Sequence, residues 1–539
     1  MEELVSGQGF KCDANFVALT PLSHIARAGE VFKADSALSY GNVQRSWAEI
    51  TTRCAQLATA LLDRGVKRGD VVSTLIPNVP ASVEAHFAVP MAGAVLNAIN
   101  TRLDDTTITY ILDHADSKVL LVDSQFVDLV ERAIPNLKGA KPVVIECPDT
   151  EAGWQATGRY PINEDLISKS DPLQEWLYPE DEWDTLALNY TSGTTGNPKG
   201  VLYHHRGAYL TTTGTVTSWE LGLRPRYLSI VPQFHCNAWC HIWTMPLVGG
   251  TIVCCRDISA DEIFTALAEE KVSHFGCAPI VLNMLIQAGP SERRAFDQPV
   301  SVFTAGAPPA PSTIKGTEEL GLKIKQVYGL TETFGHISEA LEQQEWQTLS
   351  DDQRYAHMAR IGVRFPTMEG LDVVSPDTGE PVPWDGTTTG EIVIRGNSVM
   401  KGYFKNDAAT KEAFKNGMFW SGDIGVRYPD GYISITDRTK DIIISGGENI
   451  SSVEVENTLM QHPDVSLCAV VAKPDEKWGE VPCAFVERVE GGQVTPEALI
   501  AFCREHISGF KCPKEIRFET LPKTSTGKIQ KFELRQSLK

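Results

Sequence analysis

The sequence predicts an α/β protein, with a large N-terminal domain of βαβ-type sheets, a β-rich subdomain within it, and a small α+β C-terminal domain. Three observations predict this. Short apolar runs alternate with amphipathic stretches from residue 53 to about residue 330, the pattern of parallel βαβ units. From about residue 370 the chain turns to short strands separated by Asp377-Thr378-Gly379 and Asp385-Gly386. Beyond Asp437 a further stretch of about 100 residues has helices and strands enough for its own core. The expected division is 1–438, with the β-rich part at about 370–438, and 439–539.

In chain order, Arg53–Leu62 has helical periodicity and is followed by Gly65, suited to the left-handed turn that ends a helix. Val71–Ile76 reads as a buried strand and residues 81–94 as a helix. Val119–Val122 and Val143–Ile145 read as strands, with Phe126–Ala133 helical between them. Leu186–Tyr190 is a strand leading into a glycine-rich loop. Further strands are expected at Leu228–Val231, Thr251–Cys254, Phe275–Cys277, Val302–Thr304 and Ile324–Val327, and helices at Ala260–Glu270 and Ile280–Ala288. Gly390–Gly396 is a strand of the β-rich part. The last domain carries helices at Val453–Gln461 and Pro496–His506 and strands at Leu467–Ala472 and Ala484–Arg488.

Composition narrows the functions available. At 539 residues the chain exceeds one compact core, and 42% apolar with 22% charged residues describes a folded globular protein. A formal charge of −20 without a Lys/Arg block opposes nucleic-acid binding but leaves room for a local cationic phosphate site. The start, Met1-Glu2-Glu3-Leu4, lacks a basic and apolar leader, so the 12 scattered cysteines are expected to be reduced thiols in a cytoplasmic protein. Pro232, His235, Asn237, Pro246 and Gly249-Gly250 break the apolar region 228–255, so no membrane span is expected there. Ser537-Leu538-Lys539 differs from the peroxisomal Ser-Lys-Leu signal. A homodimer is compatible with the sequence, which carries no mark of oligomeric state. Nucleophile-elbow, zincin and dinucleotide motifs are missing.

The loop Thr191-Ser192-Gly193-Thr194-Thr195-Gly196-Asn197-Pro198-Lys199-Gly200 combines hydroxyls, glycines and a lysine. Glycines let backbone N–H groups approach a ligand, hydroxyls add donors, and Lys199 adds a cation, a combination suited to polyphosphate. Asn197-Pro198 before the lysine distinguishes it from a Walker A loop. Downstream, Tyr328-Gly329-Leu330-Thr331-Glu332-Thr333 sets a carboxylate among hydroxyls at an expected strand end, where doubly wound folds bind ligands. Asp423 lies in a Ser421-Gly422-Asp423 turn, able to accept from a ribose diol. Asp437-Arg438 opens the second domain, and Lys528 follows a turn at Gly527.

In this order the motifs resemble the acyl-adenylate-forming superfamily of acyl-CoA synthetases, peptide-synthetase adenylation domains and beetle luciferases. The resemblance spans about residue 30 to the end. It implies that Thr191, Ser192, Gly193, Thr194, Thr195, Gly196 and Lys199 hold the β- and γ-phosphates of ATP. It implies that Gly306, Ala307, Pro308, Gln326, Val327 and Tyr328 line the adenine, with Gly329 in the same nucleotide-binding motif and Gly306 also against the substrate. Thr331 would contact the α-phosphate, Glu332 hold Mg²⁺, and Asp423 and Arg438 contact the ribose. Lys440 would be the hinge that makes the small C-terminal domain mobile, Gly446 and Gly447 the passage for the CoA thiol, and Lys528 the lysine bridging carboxylate and α-phosphate. Within the superfamily the chain is similar to short- and medium-chain acyl-CoA synthetases, and among those to 3-methylmercaptopropionate-CoA ligases. A luciferase-like oxygenase and a carrier-protein loading enzyme are the alternatives; dependence on O₂ separates the first.

The acid is addressed by Phe234-His235-Cys236-Asn237-Ala238-Trp239-Cys240-His241. An α-amino group would need a buried Asp here, and Phe234-His235 stands instead, which disfavours amino acids. His235 is expected to close the pocket or orient the carboxylate. Trp239, on the same face if this stretch is helical, would shorten the tunnel and favour small acyl groups. Zinc held by His235, Cys236, Cys240 and His241 is the weaker reading, because the spacing is loose.

Overall fold

The computed structural model describes residues 12–191, 197–438, 441–446, 448–475, 477–523 and 529–538. The chain divides into two compact units, Met1–Asn189 with Val201–Pro225 and Cys240–Cys254, and Tyr190–Gly200 with Arg226–Trp239 and Cys255–Lys539.

The first unit is built on a parallel sheet whose strands run in the order Thr185–Tyr190, Val95–Ala98, Val71–Leu75, Val119–Asp123 and Val143–Cys147, with Gly200–His204 beside the first. Every residue of Val71–Leu75 and Val119–Asp123 is buried. That two-sided burial is why Val119–Val122 reads as a continuous apolar run and not an alternating one, while buried Ser73 is satisfied by Ser117 and Asn97. Ser36–Tyr40 pairs in parallel with Thr251–Cys254 and antiparallel with Val43–Ser46. The expected helix at Arg53 begins instead at Trp47, because Ser46 and Glu49 cap it reciprocally.

In the second unit Arg226–Ser229, His274–Cys277, Val300–Thr304 and Leu322–Tyr328 are parallel neighbours in that order. Their C-terminal ends therefore share one edge. Ser338–Glu339 and Val363–Arg364 continue the sheet antiparallel. An antiparallel sheet follows, with Met368–Val374 on Gly390–Gly396, that strand on Met418–Arg427, and Ile433–Arg438 on the far side. Further along, Val465–Asp475 and Gly479–Arg488 pair antiparallel and Glu515–Phe518 adds in parallel. The segment's buried clusters are its own: Ile443, Val455, Val470, Val486 and Leu499 in one, Phe485, Leu521 and Leu534 in another. The α/β class expected from the sequence is the one observed.

Candidate functional site

Two parallel strands deliver the residues expected to line the adenine. Val300–Thr304 runs out toward Gly306-Ala307-Pro308, and Leu322–Tyr328 ends in Gln326 and Tyr328. Thr304 and Gln326 are register partners, both buried, and neither Thr304 Oγ1 nor Gln326 Oε1 has a hydrogen-bond partner among the described residues. Buried polar atoms are normally satisfied, so two orphans side by side at the ligand-binding edge fit a polar ligand such as a nucleobase. Gly306 has φ +93°, and a Cβ there would meet nothing within 4 Å, so the glycine serves the turn and leaves open space. Gly329 is different, because a Cβ would fall 1.8 Å from the Gly335 carbonyl oxygen. Only glycine lets this turn close.

Tyr328 Oη donates to Asp423 Oδ2 at 2.7 Å, and Arg438 Nε lies 3.2 Å from Asp423 Oδ1. Asp423, expected in a turn, lies instead within the strand Met418–Arg427, where Gly422 takes φ +73°, and is the direct partner of Arg438 on the antiparallel strand, so two motifs separated in sequence meet in one cluster. Burial, and then the neighbouring Asp423 carboxylate, push the Tyr328 phenol well above its ordinary pKa, so it remains a donor.

Around the loop, Thr191 N donates to the Lys199 carbonyl at 2.9 Å and Lys199 N to Thr191 Oγ1 at 3.2 Å. These bonds join the two ends of the segment. Lys199 Nζ sits 4.3 Å from the centre of the Tyr403 ring, and Tyr403 Oη donates to Glu332 Oε1 at 2.9 Å. Glu332 is also tied through its backbone, since Met400 N donates to its carbonyl at 2.8 Å. Cys236 Sγ lies 3.9 Å from Thr331 Oγ1. Among the described residues no three His, Cys, Asp or Glu side chains gather as a metal cage, including His235, Cys236, Cys240 and His241. Mg²⁺ bound with a nucleotide takes one or two carboxylates and completes its shell with phosphate oxygens and water, so a single Glu332 fits it.

Residues 236–240 correct the sequence reading. Cys236, Asn237, Ala238, Trp239 and Cys240 all have positive φ, from 43° to 63°, and Asn237 and Ala238 are left-handed helical. The right-handed face that would carry His235 and Trp239 together is therefore absent. A left-handed turn of L-residues costs roughly 1–2 kcal/mol per residue and persists only where its surroundings over-determine it. Trp239 is buried against Gly276, where a Cβ would come within 2.9 Å of the indole. Its ring makes a T-shaped contact with His336, which contacts Phe303 and Phe365 as well.

Burial holds the His336 imidazole neutral, with its pKa lowered to about 3. The unfolded chain titrates near the ordinary value, so it binds the extra proton first as pH falls. This contribution to stability is complete above pH ~6.5, costs about 2 kcal/mol by pH 5, and keeps growing toward the folded pKa. Urea unfolding of His336→Gln across that range is expected to show an acid slope one proton shallower than the native chain. An unchanged slope would count against a neutral buried imidazole.

Gly446 has φ +62°; its N–H donates to the Trp478 carbonyl at 2.8 Å, and a Cβ would strike the Trp478 ring at 2.8 Å. Ser192, Gly193, Thr194, Thr195, Gly196, Lys440, Gly447 and Lys528 lie outside the described residues. Sequence reasoning passed over Thr304, Gly276, His336 and Tyr403. Gly402, with φ +148° next to Tyr403, was a local signal of a close approach.

A profile of the family described as AMP-binding enzyme matches residues 25–404, and one described as AMP-binding enzyme C-terminal domain matches 454–528. The chain is 44% identical over 544 residues to a peroxisomal trans-cinnamate:CoA ligase of Petunia hybrida, covering 98% of this chain and 95% of that protein. It is 44% identical over 548 residues to a peroxisomal acetate/butyrate–CoA ligase of Arabidopsis thaliana, covering 98% and 96%. A crystal structure of an anthranilate CoA ligase with anthranoyl-AMP superposes with a TM-score of 0.85 at 25% identity, covering 98% of this chain and 99% of the other. The peroxisomal relatives do not favour the cytoplasmic placement expected from the sequence. Among the described residues no helix is long and apolar enough to cross a membrane.

Proposed function

The chain belongs to the AMP-binding enzyme family and is an AMP-forming acyl-CoA ligase acting on carboxylic acids, and from that premise we propose that its substrate is a small acid, with 3-methylmercaptopropionate among the candidates. The observation that carries the size limit is the Trp239 indole seated on Gly276.

In this reading the acid's carboxylate attacks the α-phosphorus of ATP, releasing pyrophosphate and leaving an acyl-adenylate that CoA then converts to the thioester. Two anions must meet, so the barrier is chiefly electrostatic, and preorganised cations lower it. Lys199 with the hydroxyl loop neutralises the departing pyrophosphate, Thr331 contacts the α-phosphate, and Lys528 bridges carboxylate and α-phosphate. Glu332 would hold Mg²⁺, which supplies charge neutralisation on the phosphates when bound. Asp423 and Arg438 hold the ribose, and Gln326 with Gly306-Ala307-Pro308 lines the adenine. His235 closes the acid pocket. Residues 439–539 swing about Lys440 between the half-reactions, which brings Gly446 and Gly447 to the CoA thiol and takes Lys528 away.

An acid panel read as pyrophosphate release, and then as thioester with CoA, tests this. Acetate, butyrate, octanoate, cinnamate, benzoate and 3-methylmercaptopropionate span the sizes at issue. In Trp239→Ala, kcat/KM for octanoate is expected to rise about tenfold relative to butyrate, the scale of a few methylenes gained in a pocket. An unchanged ratio would make Trp239 a packing residue only.

A further inference from the structure

The geometry points to Tyr403 as a positioning residue that sets two phosphate-handling groups at once, Lys199 through its ring face and Glu332 through its hydroxyl. It rests on the reading of Lys199 and Glu332 as groups that meet Mg·ATP. The two contacts are independent. Lys199 Nζ stands 4.3 Å over the ring centre, and the hydroxyl donates to Glu332 Oε1 at 2.9 Å. An aromatic ring is negative on its face and positive at its edge, and tyrosine adds a donor in the ring plane. One side chain therefore addresses an ammonium and a carboxylate in different directions. Phenylalanine could serve only the first, and an aliphatic residue neither.

The backbone fixes that side chain. Gly402 has φ +148°, and a Cβ there would meet Thr410 Cγ2 at 2.8 Å. Tyr403 N donates to Thr410 Oγ1 at 2.9 Å, and Phe404 N to the Gly200 carbonyl at 2.7 Å, the residue after Lys199. On the other side Met400 N holds the Glu332 carbonyl. The Met400–Phe404 stretch is thus clamped to both groups by main-chain bonds.

A tyrosine hydroxyl carries no charge in its ordinary form, so neither group has to break an ion pair with it when phosphate and metal arrive. The hydroxyl occupies one lone-pair site of the Glu332 carboxylate and holds its orientation, as hydrogen-bond partners of metal-binding carboxylates do. The ring keeps the Lys199 ammonium at one place above it and not free over its rotamers, so less ordering remains when a phosphate binds.

Titration calorimetry of the full chain with ATP, without acid, separates the contacts when run once in excess EDTA and once in excess Mg²⁺. Tyr403→Phe keeps the ring, so its Kd in EDTA is expected within about twofold of the native chain, while the tightening brought by Mg²⁺ shrinks about fivefold. Tyr403→Leu also loses the ring, and its Kd in EDTA is expected to weaken about fivefold. Native values in Tyr403→Phe under both conditions, or an equal loss in both, overturn the proposal. Should the leucine variant not fold, the near-isosteric phenylalanine variant decides alone. Glu332→Gln in the same titration keeps the premise apart. If it loses the Mg²⁺ effect while Tyr403→Phe retains it, only the role of Tyr403 falls. If Glu332→Gln retains the effect, the reading of Glu332 falls and takes the proposal with it.

Discussion

Replacing Lys528 with alanine is expected to cut acid-dependent pyrophosphate release by about 10³-fold, close to 4 kcal/mol of barrier, while capture of preformed acyl-adenylate by CoA stays within about tenfold of the native rate. The asymmetry follows from the chemistry of the two half-reactions. In the first, a carboxylate approaches a triphosphate, and a cation between acid and α-phosphate acts where both negative charges concentrate. In the second, the acyl carbon is already activated, and a thiol displaces AMP without bringing a carboxylate against a phosphate. A lysine serving the first step alone leaves the second nearly intact. The measurement is two assays on one variant, pyrophosphate release from ATP and acid, and thioester formation from synthetic acyl-AMP. Equal losses in both would mean that Lys528 supports the fold or binds AMP, and the proposed division of labour would fail.

Much of the site was legible because its signals are local. The loop from Thr191 to Lys199 and the turn after Tyr328 each advertise their chemistry within a few residues, whereas Asp423, expected in a turn, lies inside the strand Met418–Arg427. The strand Val119–Asp123 was legible because two-sided burial leaves an unbroken apolar run over Val119–Val122. What could not be read depends on partners distant in sequence or on strain. Nothing in Gly402-Tyr403 names Glu332, whose contact spans 71 residues. The orphaned oxygens of Thr304 and Gln326 become meaningful only when two strands align them. Five consecutive left-handed residues at Cys236–Cys240 run against local preference, so propensity points the wrong way there. Tertiary contacts fix that turn, and Gly276 is legible as its seat only once Trp239 lies on it. The start of the Trp47–Leu62 helix is another matter, since Ser46 and Glu49 carry a local capping signal that periodicity alone overlooks.

Asp423→Ala is expected to damage both stability and nucleotide binding, and the two effects can be told apart. The Asp423 side chain is 5% exposed and both oxygens are engaged, Oδ2 by Tyr328 and Oδ1 by Arg438. Removing it leaves a buried phenol without its acceptor and a guanidinium without its counter-charge. Truncating one member of a fully buried pair costs about 3–5 kcal/mol. The Arg438 side chain is 32% exposed, so water takes up part of its loss and about 2–3 kcal/mol is expected in urea unfolding. Asp423→Asn keeps an acceptor for Tyr328 but no charge for Arg438, and should lose about half as much. Tyr328→Phe removes the donor instead; combined with Asp423→Ala it should cost less than the two changes summed, because the second leaves no new orphan. Ribose binding is read separately. A diol donating to the same carboxylate would make KM for ATP rise about 30- to 100-fold in Asp423→Ala yet less than threefold in Tyr328→Phe. If Asp423→Ala loses stability while KM stays within that smaller range, the carboxylate is a strut between Tyr328 and Arg438, and the ribose must be held elsewhere.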